Sequence, residues 1–338
     1  MEINIKNIVS EQYLKQIRLL QKQWFSDDLN FLVQTSGSTG KPKTISLEKE
    51  HMRNSALATL NFLKIKKGSK ALLCLPIDKI GGIMMFVRAA QANLDLTIIE
   101  PSAHPFNSLK PEDSYALSAM VPLQISHSLP HLKRAGKLIA GGGPLSAKLL
   151  EQIGQTESQI WHSYGMTETI SHIALRQISP SLNRAFKLLP GVDVTLNVND
   201  CLRINAPAIG VHSLQTKDLV ELIDKQHFLW KGRLDNVVLS GGLKLYPEEL
   251  EQKIELSENF ILAGSDSVRL GQQLILIIER VEELKEANLT EALKQLSRLE
   301  RPKEVYYLPR FVYTSNGKIR RAETLSKAFA LGPDKGQT

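Results

Sequence analysis

The sequence predicts an α/β protein with two domains: a large N-terminal domain of layered, largely parallel β-sheets and helices, and a small α+β C-terminal domain. Two observations lead to this prediction. Short apolar segments of strand length alternate with segments of helical periodicity over most of the chain. The sequence pattern then changes at residues 228–239, where FLWKGRLDNVVL is followed by two glycines and by the acidic start of a helix, YPEELEQKI. We therefore predict one domain at residues 1–234, a second at residues 235–331 and a polar tail at residues 332–338.

The predicted elements follow in chain order. A first helix is expected at residues 11–24 after Ser10 as its N-cap, because four large residues recur there at helical spacing: Tyr13, Ile17, Leu20 and Trp24. A strand at residues 31–34 and a helix at residues 48–63 flank a polar loop. The remaining predicted strands are short and apolar, at residues 71–76, 94–99, 116–121, 137–140, 260–263 and 273–278. A late helix is predicted near residues 289–299.

The composition argues against several classes of protein. The hydrophobic content of 42% suits folded domains, and no apolar run approaches the roughly 18 residues that cross a bilayer, so we expect no membrane insertion. The net charge of +7 attracts anionic substrates such as nucleotides, but Lys and Arg are dispersed, which argues against nucleic acid. Because the N-terminus lacks the apolar centre of a signal peptide, we predict a cytoplasmic protein. Cys74 and Cys201, which lie far apart without a metal-binding motif, are expected to be inert core thiols.

The segment TSGSTGKPK combines two glycines, four hydroxyls and two lysines. Its candidate phosphate-binding residues are Thr35, Ser36, Gly37, Ser38, Thr39, Gly40, Lys41 and Lys43. Glycines let backbone N–H groups approach an anion, and hydroxyl and ammonium groups add charge-assisted hydrogen bonds. The spacing is not that of a Walker A loop, and a flexible surface linker is the alternative. The sequence therefore favours a phosphate-binding loop of another kind.

A second segment, YGMTET, follows a strand that is predicted to end near Trp161. An aromatic ring, a glycine turn, a hydroxyl and a carboxylate lie within five residues. Tyr164 suits a base, Thr167 suits a phosphate oxygen, and Glu168 suits Mg²⁺ as an oxygen ligand. Taken alone, the segment is better explained as a loop with a solvated Glu168.

The C-terminal third contains four short polar segments, TKD, GRLD, SGGLK and SNGKIR. Their candidate functional residues are Asp218, Arg233, Asp235, Gly241, Gly242, Lys244 and Lys318. Each has an ordinary explanation: Asp218 as a turn former at the end of a strand, Arg233 as a surface charge, and Lys318 as a solubilising residue. The order of the four segments along the chain is more informative about function than any one segment alone.

In this order and at this spacing, the segments resemble the adenylate-forming superfamily of acyl-CoA synthetases, nonribosomal-peptide adenylation domains and luciferases. The resemblance covers residues 31–325, and TSGSTGKPK with YGMTET is its most specific part. Within the superfamily the chain is most similar to the o-succinylbenzoate–CoA ligases of menaquinone synthesis, in a compact form. The resemblance implies a mobile C-terminal domain, an acyl-adenylate intermediate, and ATP, Mg²⁺, coenzyme A and a small carboxylic acid as ligands. A homo-oligomer is also compatible with it.

The resemblance also implies roles for the candidate residues. The TSGSTGKPK loop would gather the pyrophosphate end of ATP. Adenine would lie between Tyr164 and a glycine segment, which consists of Gly141, Gly142, Gly143 and Pro144. Thr167 would contact the α-phosphate, Glu168 would bind Mg²⁺, and Asp218 with Arg233 would bind the ribose hydroxyls.

The C-terminal residues take the remaining roles by the same resemblance. Asp235 stands at the hinge position. The Gly241–Gly242 turn with Lys244 would line the channel for coenzyme A. Lys318 would reach the reacting carboxylate and phosphate during adenylation.

The chain departs from the superfamily pattern in two places. Only 34 residues precede Thr35, so part of the usual sheet and dimer-forming surface is expected to be absent. Lys79 stands where a histidine is expected at the acyl-pocket entrance. For the second carboxylate of o-succinylbenzoate we predict Arg88 as the cation, with a helix-surface arginine as the alternative. Ser171 would donate a hydrogen bond to the same acid.

Two other functions stay open from the sequence. The chain is alternatively another aryl- or acyl-CoA ligase, or an adenylation enzyme that loads a carrier protein. A further alternative is an inactive nucleotide-binding regulator. Retention of Lys318, Glu168 and the phosphate loop argues against an inactive protein, because binding alone does not need the adenylating lysine.

Overall fold

The computed structural model describes residues 3–5, 9–35, 43–280, 284–314 and 319–332. Its helices are α1 (Glu11–Phe25), α2 (Lys49–Phe62), α3 (Ile80–Gln91), α4 (Pro122–His127), α5 (Ala147–Gly154), α6 (Pro247–Glu251), α7 (Glu286–Ala292) and α8 (Arg321–Leu331). The strands of the N-terminal part are β1 (Ile3–Ile5), β2 (Asn30–Thr35), β3 (Lys43–Glu48), β4 (Lys70–Leu73), β5 (Asp95–Ile98), β6 (Leu117–Met120) and β7 (Lys137–Ala140). The next are β8 (Gln159–Gly165), β9 (His172–Ser179), β10 (Phe186–Leu188), β11 (Asp193–Leu196), β12 (Cys201–Ala206), β13 (Val211–Leu222) and β14 (His227–Arg233). The last are β15 (Val238–Ser240), β16 (Leu243–Leu245), β17 (Phe260–Ser267), β18 (Gly271–Glu279) and β19 (Glu304–Leu308).

A twelve-stranded sheet runs in the order β1-β5-β4-β6-β7-β8-β9-β10-β14-β13-β12-β11. Neighbouring strands from β1 to β8 are parallel, and those from β8 to β11 are antiparallel. Within the parallel half, the strands β4, β5, β6 and β7 are short, apolar and mostly buried, as expected for a parallel sheet covered on both faces. The predicted α/β class is confirmed, although the parallel arrangement covers only one half of the sheet. Because parallel strands end at one edge, the segments after β6, β7 and β8 share that edge.

The helices pack as their periodicity predicts. The four large residues predicted for the buried face of α1 are all buried, and the Ser10 hydroxyl accepts a hydrogen bond from the Tyr13 N–H at 3.3 Å. Helix α3 is apolar over most of its length and is almost wholly buried against the sheet. None of the described helices is long and apolar enough to cross a membrane. Cys74 and Cys201 are free and buried, and burial raises the pKa of Cys74 to about 12, which suits an inert thiol.

Strands β2 and β3 form a separate antiparallel hairpin in which Thr35 pairs with Lys43. The predicted phosphate loop connects these two strands. Its residues 36–42 lie outside the described part of the chain, so their role stays a prediction. The hairpin places the two ends of the loop side by side.

A second sheet contains β16-β15-β18-β17, with β19 parallel to β18. It has its own core, which includes Leu262, Leu276 and Ile278. A 3₁₀ turn, Leu234–Asn236, separates the last strand of the first sheet from β15. These features support the predicted domain boundary after residue 234, which itself stays a prediction. The helix predicted near residues 289–299 is wrong in its bounds, because α7 ends at Ala292 and the chain continues in turns that still bury Leu296.

Candidate active site

A polar cluster joins the first sheet at three strands. Tyr164 of β8 donates a hydrogen bond from its Oη to Asp218 Oδ2 at 2.7 Å. Arg233 of β14 is the cross-strand partner of Asp218, and its Nη1 lies 3.6 Å from Asp218 Oδ1. Asp218 is only 6% exposed, so its charge lies mostly out of water and beside a tyrosine hydroxyl and a guanidinium. The structure thus brings together three residues that the sequence placed about the adenine and ribose.

The position of Asp218 differs from one ordinary explanation considered for it. It lies inside β13 and not at a strand end, because pairing with Arg233 compensates for the poor strand preference of aspartate. Two neighbours were missed by the sequence reasoning. Trp230 Nε1 donates to Asp218 Oδ1 at 3.4 Å, and the Asp218 N–H donates to the Thr216 hydroxyl at 3.1 Å. Burial and the Asp218 charge raise the pKa of Tyr164 far above its ordinary value, so its hydroxyl remains a donor.

Aromatic rings pack around Tyr164. Phe228 meets it edge to face at 5.1 Å, and Phe186 lies 5.8 Å from it. Arg176 lies over the ring of Phe186 at 4.9 Å. The tyrosine ring is therefore held by its neighbours rather than free to rotate, as a stacking surface for a base requires.

The glycine segment predicted to line adenine follows β7. A Cβ on Gly141 would lie 2.9 Å from the Ser163 hydroxyl oxygen, so the backbone passes close to β8 there. Arg176 Nε donates to His162 Nδ1 at 3.2 Å, which leaves the proton on Nε2 to donate to the Gly143 carbonyl at 3.3 Å. Burial, with the charge of Arg176, lowers the pKa of His162 to about 3. A neutral histidine thus fixes Gly143, whereas the contacts among the described residues assign no role to Pro144, which stays a prediction.

The connection from β8 to β9 carries Thr167 and Glu168 in a 3₁₀ turn, Thr167–Thr169. Strand β8 continues to Gly165, which pairs with His172, so the prediction of a strand end near Trp161 is wrong. A Cβ on Gly165 would lie 2.3 Å from the Ser171 carbonyl oxygen, which explains the glycine. Glu168 is exposed and Thr167 half-buried. Adjacent hydroxyl and carboxylate oxygens fit a hard cation such as Mg²⁺. Among the described residues there is no cluster of three or more metal-ligating side chains.

The structure brings the two predicted acid-binding residues into contact. Arg88 of α3 is only 2% exposed and donates from Nη2 to the Ser171 hydroxyl at 2.8 Å. The alternative of a helix-surface arginine is therefore wrong. Burial lowers the pKa of Arg88 to about 9, which leaves it charged at neutral pH, and its Nε has no hydrogen-bond partner among the described residues. Lys79, at the start of α3, instead pairs with Asp78 at 3.1 Å.

The residues assigned to the hinge and the thiol channel lie beyond β14. Asp235 accepts hydrogen bonds from Lys217 at 2.9 Å and from Arg233 at 3.5 Å, and Lys217 is the main cause of its lowered pKa. Gly241 and Gly242 form the two-residue turn between β15 and β16, with φ of +56° and +84°, values that glycine adopts without strain.

Two lysines complete the predicted set. Lys244 is exposed on β16. Lys318 lies outside the described residues, between Tyr313 and Ile319, which form an isolated bridge. The roles of all these residues stay predictions.

Comparison with known proteins agrees with the predicted fold and family. Residues 7–201 match the family model described as AMP-binding enzyme. The chain is 24% identical over 330 residues to the 2-succinylbenzoate–CoA ligase of Listeria monocytogenes, covering 89% of this chain and 71% of that one. An acyl-CoA synthetase (AMP-forming)/AMP-acid ligase II-like protein of Dyadobacter fermentans, of solved structure, is 33% identical with a TM-score of 0.65, covering 96% of both chains. The o-succinylbenzoate coenzyme A synthetase of Bacillus subtilis, solved with ATP and magnesium, is 18% identical with a TM-score of 0.73, covering 96% of this chain and 79% of that one, a likeness of fold alone.

Proposed function

Because the chain belongs to the family of AMP-binding enzymes, we propose that it is an ATP-dependent acid–thiol ligase, which joins a carboxylic acid to coenzyme A through an acyl-adenylate. We propose o-succinylbenzoate as the acid, in keeping with the names of the Listeria and Bacillus relatives. This would place the enzyme in menaquinone synthesis and in the cytoplasm, where ATP and coenzyme A are available.

The observation that carries the proposal is that one connection, from β8 to β9, touches both candidate subsites. Tyr164 at the end of β8 bonds Asp218, and Ser171 just before β9 bonds Arg88. Thr167 and Glu168 lie between them in sequence. A nucleotide held at one end and an acid at the other would meet at the α-phosphate beside these two side chains. That is the arrangement which acyl-adenylate formation needs.

On the nucleotide side, Asp218 supports ribose binding. Its carboxylate has more acceptor positions than Tyr164 and Trp230 occupy, so it retains capacity for a ribose hydroxyl. Arg233 beside it supplies a further donor. Glu168 would hold Mg²⁺, which when bound supplies positive charge against the phosphate oxygens of ATP.

On the acid side, a buried guanidinium with an unpaired Nε calls for an anion, because an unpaired buried charge is costly. The aromatic carboxylate of o-succinylbenzoate is such an anion, and it is not the carboxylate that reacts. A simple fatty acid or benzoate would leave Arg88 unpaired. Selectivity for an acid with a second carboxylate follows from this cost.

In the reaction that we propose, the acid carboxylate attacks the α-phosphate and pyrophosphate leaves. Thr167 and Lys318 stabilise the charge that builds on the α-phosphate. The thiolate of coenzyme A then attacks the mixed anhydride and expels AMP. Rotation at Asp235 would replace Lys318 by the Gly241–Gly242 turn between the two steps.

The test is ATP–pyrophosphate exchange with a panel of acids in the presence of Mg²⁺. We expect exchange with o-succinylbenzoate and much less with benzoate or fatty acids. Arg88→Ala should raise the KM for o-succinylbenzoate and leave the KM for ATP nearly unchanged, because the lost contact is local. Glu157→Ala, which breaks an exposed surface pair with Lys133 at 2.7 Å, is the control.

The outcomes separate the open alternatives. Exchange with simple acids but not with o-succinylbenzoate would show another acyl-CoA ligase. Exchange without transfer to coenzyme A would indicate a carrier-protein acceptor. ATP binding without exchange on any acid would show a nucleotide-binding regulator and refute the proposal.

A further inference from the structure

Three buried side chains, Arg88, His172 and Thr59, and the half-buried Ser171 form one hydrogen-bonded chain behind the candidate acid subsite. Arg88 Nη2 donates to the Ser171 hydroxyl at 2.8 Å. The Ser171 hydroxyl lies 3.3 Å from His172 Nδ1, and His172 Nε2 lies 3.0 Å from the Thr59 hydroxyl. The Thr59 hydroxyl in turn donates to the Ser55 carbonyl at 3.1 Å. The chain thus connects α3, the start of β9 and α2.

We infer that His172 and Thr59 are positioning residues for the acid, which act through Ser171 to hold the guanidinium of Arg88 in one orientation. This inference rests on the proposed function, in which Arg88 binds the second carboxylate of the acid. Neither His172 nor Thr59 needs to touch the acid itself.

The direction of each hydrogen bond follows from counting protons. Thr59 has one hydroxyl proton, which goes to the Ser55 carbonyl, so Thr59 must accept a proton from His172 Nε2. The neutral ring then carries no proton on Nδ1, which accepts from Ser171. Ser171 accepts from Arg88. This arrangement makes four hydrogen bonds, whereas the other tautomer, in which Thr59 donates to His172, makes three.

The surroundings keep the ring neutral. His172 is 7% exposed, and burial together with the charge of Arg88 lowers its pKa well below the ordinary value. A cavity of about 30 Å³ beside the ring, lined by Ser55, Ala58 and Ile173 among others, has room for a water but not for an acid. His172 therefore acts on the substrate only through Ser171 and Arg88.

The proton count gives Ser171 a different role from the predicted one, in which its hydroxyl donates a hydrogen bond to the acid. Its only proton is committed to His172, so it holds the guanidinium and does not donate to the acid. Arg88 keeps its unpaired Nε for a ligand. A fixed guanidinium loses little conformational entropy when the acid binds, which raises affinity without a new contact.

The kinetic test compares three threonine variants. Thr59→Val removes the acceptor for His172 Nε2 at constant shape and should raise the KM for o-succinylbenzoate about five- to a hundredfold. The KM for ATP and kcat at saturating acid should stay within about twofold. Thr59→Ser keeps the hydroxyl and should behave as the wild type. Thr97→Val removes another buried threonine hydroxyl, in β5, and should change neither KM.

A tautomer measurement gives a second readout that needs no substrate. In protein with ¹⁵N-labelled histidine, the His172 resonances, identified by their loss in His172→Gln, should show a protonated Nε2 and a bare Nδ1. Thr59→Val should alter them and Thr59→Ser should not. A protonated Nδ1 in the wild type would overturn the inference whatever the enzyme activates.

The two readouts separate the inference from the proposed function. If the enzyme activates a different acid, the KM shift is measured with that acid. If it activates none, the proposed function fails, and the response of the tautomer to Thr59→Val still decides the hydrogen-bonded chain. An unchanged acid KM in well-folded Thr59→Val overturns the positioning role.

Discussion

Asp218→Asn removes one negative charge from the centre of the nucleotide cluster and keeps the shape of the side chain. In the wild type, one carboxylate oxygen accepts from Tyr164 at 2.7 Å and the other from Trp230 at 3.4 Å. Asparagine keeps one carbonyl oxygen, so its amide nitrogen must face one of these two donors. Arg233 also loses its cross-strand counter-charge.

The magnitude follows from these contacts. A hydrogen bond to a charged group contributes about 1.5–3 kcal/mol, and a buried unpaired polar group costs about 1–3 kcal/mol. Because Asp218 is only 6% exposed, water cannot replace the lost hydrogen bond. The free energy of unfolding should therefore fall by about 2–4 kcal/mol. If a ribose hydroxyl also loses its charged acceptor, the KM for ATP should rise about ten- to a hundredfold.

The assay is pyrophosphate exchange as a function of ATP, with urea unfolding of the same samples. Glu221→Gln is the matched control, since Glu221 lies on the same strand and forms an exposed pair with Lys231 at 2.7 Å. Such surface pairs contribute about 0–1 kcal/mol, so the control should change little. An Asp218→Asn enzyme with wild-type KM for ATP and KM for the acid raised instead would refute the assignment of the cluster to the nucleotide.

The remaining predictions concern the two half-reactions and the pH dependence of stability. Lys318→Ala should slow adenylation about a hundred- to a thousandfold and spare thioester formation from preformed acyl-adenylate, whereas Gly242→Leu should do the reverse. The measurement is single-turnover kinetics of each step, with circular dichroism to confirm folding. Equal losses in both steps would show that this division is wrong. His162 and His172 stay neutral in the folded protein because their pKa values are lowered, that of His162 to about 3, while the unfolded chain binds protons below pH about 6.5. As the pH is lowered below about 6.5, the free energy of unfolding should therefore fall by about 1.4 kcal/mol per pH unit for each histidine. Urea unfolding of His172→Gln at several pH values should show a weaker dependence of this free energy on pH. An unchanged dependence would contradict the argument.

The elements that the sequence predicts well are those in which one local signal suffices. In α1, helical spacing of large residues and a serine N-cap agree, and packing does not override them. Four short apolar strands of the parallel half, β4 to β7, were predicted to within three residues at each end, because burial on both faces leaves a run of apolar side chains.

The misplaced boundaries have tertiary causes. Strand β8 extends to Gly165 because β9 pairs with it, and the residues YG look like a turn when read alone. Helix α7 stops at Ala292 although Leu293 and Leu296 keep helical spacing, since turns bury them equally well. Local sequence patterns predict which side chains are buried, but the pairing partners of a segment determine where the element ends.

The acid subsite was predicted only in part for a similar reason. Arg88 and Ser171 were found through their nearness to recognisable motifs. Thr59 and His172 lie in helical and strand patterns that indicate burial and nothing more. Their role depends on the direction of hydrogen bonds between three separate segments, which periodicity does not encode. A buried polar residue in an otherwise apolar face was the available signal, and it does not name the partner.

The backbone between the two subsites is held in a way that keeps a change at the acid subsite from reaching the nucleotide subsite. Ile170 has φ +63° and ψ −47°, and the Ser171 N–H donates to the Thr169 carbonyl at 2.6 Å, which makes a γ-turn of the rare positive-φ kind. Such a conformation is strained for a β-branched residue and persists only where surrounding contacts enforce it; Ile170 is 2% exposed. The close approach of Gly165 to Ser171 fixes the other end of the same connection. The segment that carries Thr167, Glu168 and Ser171 is therefore held at both ends, so a shift of Ser171 that followed loss of the Thr59 hydroxyl would be absorbed by Arg88 and not passed to Tyr164. That is the physical reason for expecting Thr59→Val to change the KM for the acid without changing the KM for ATP.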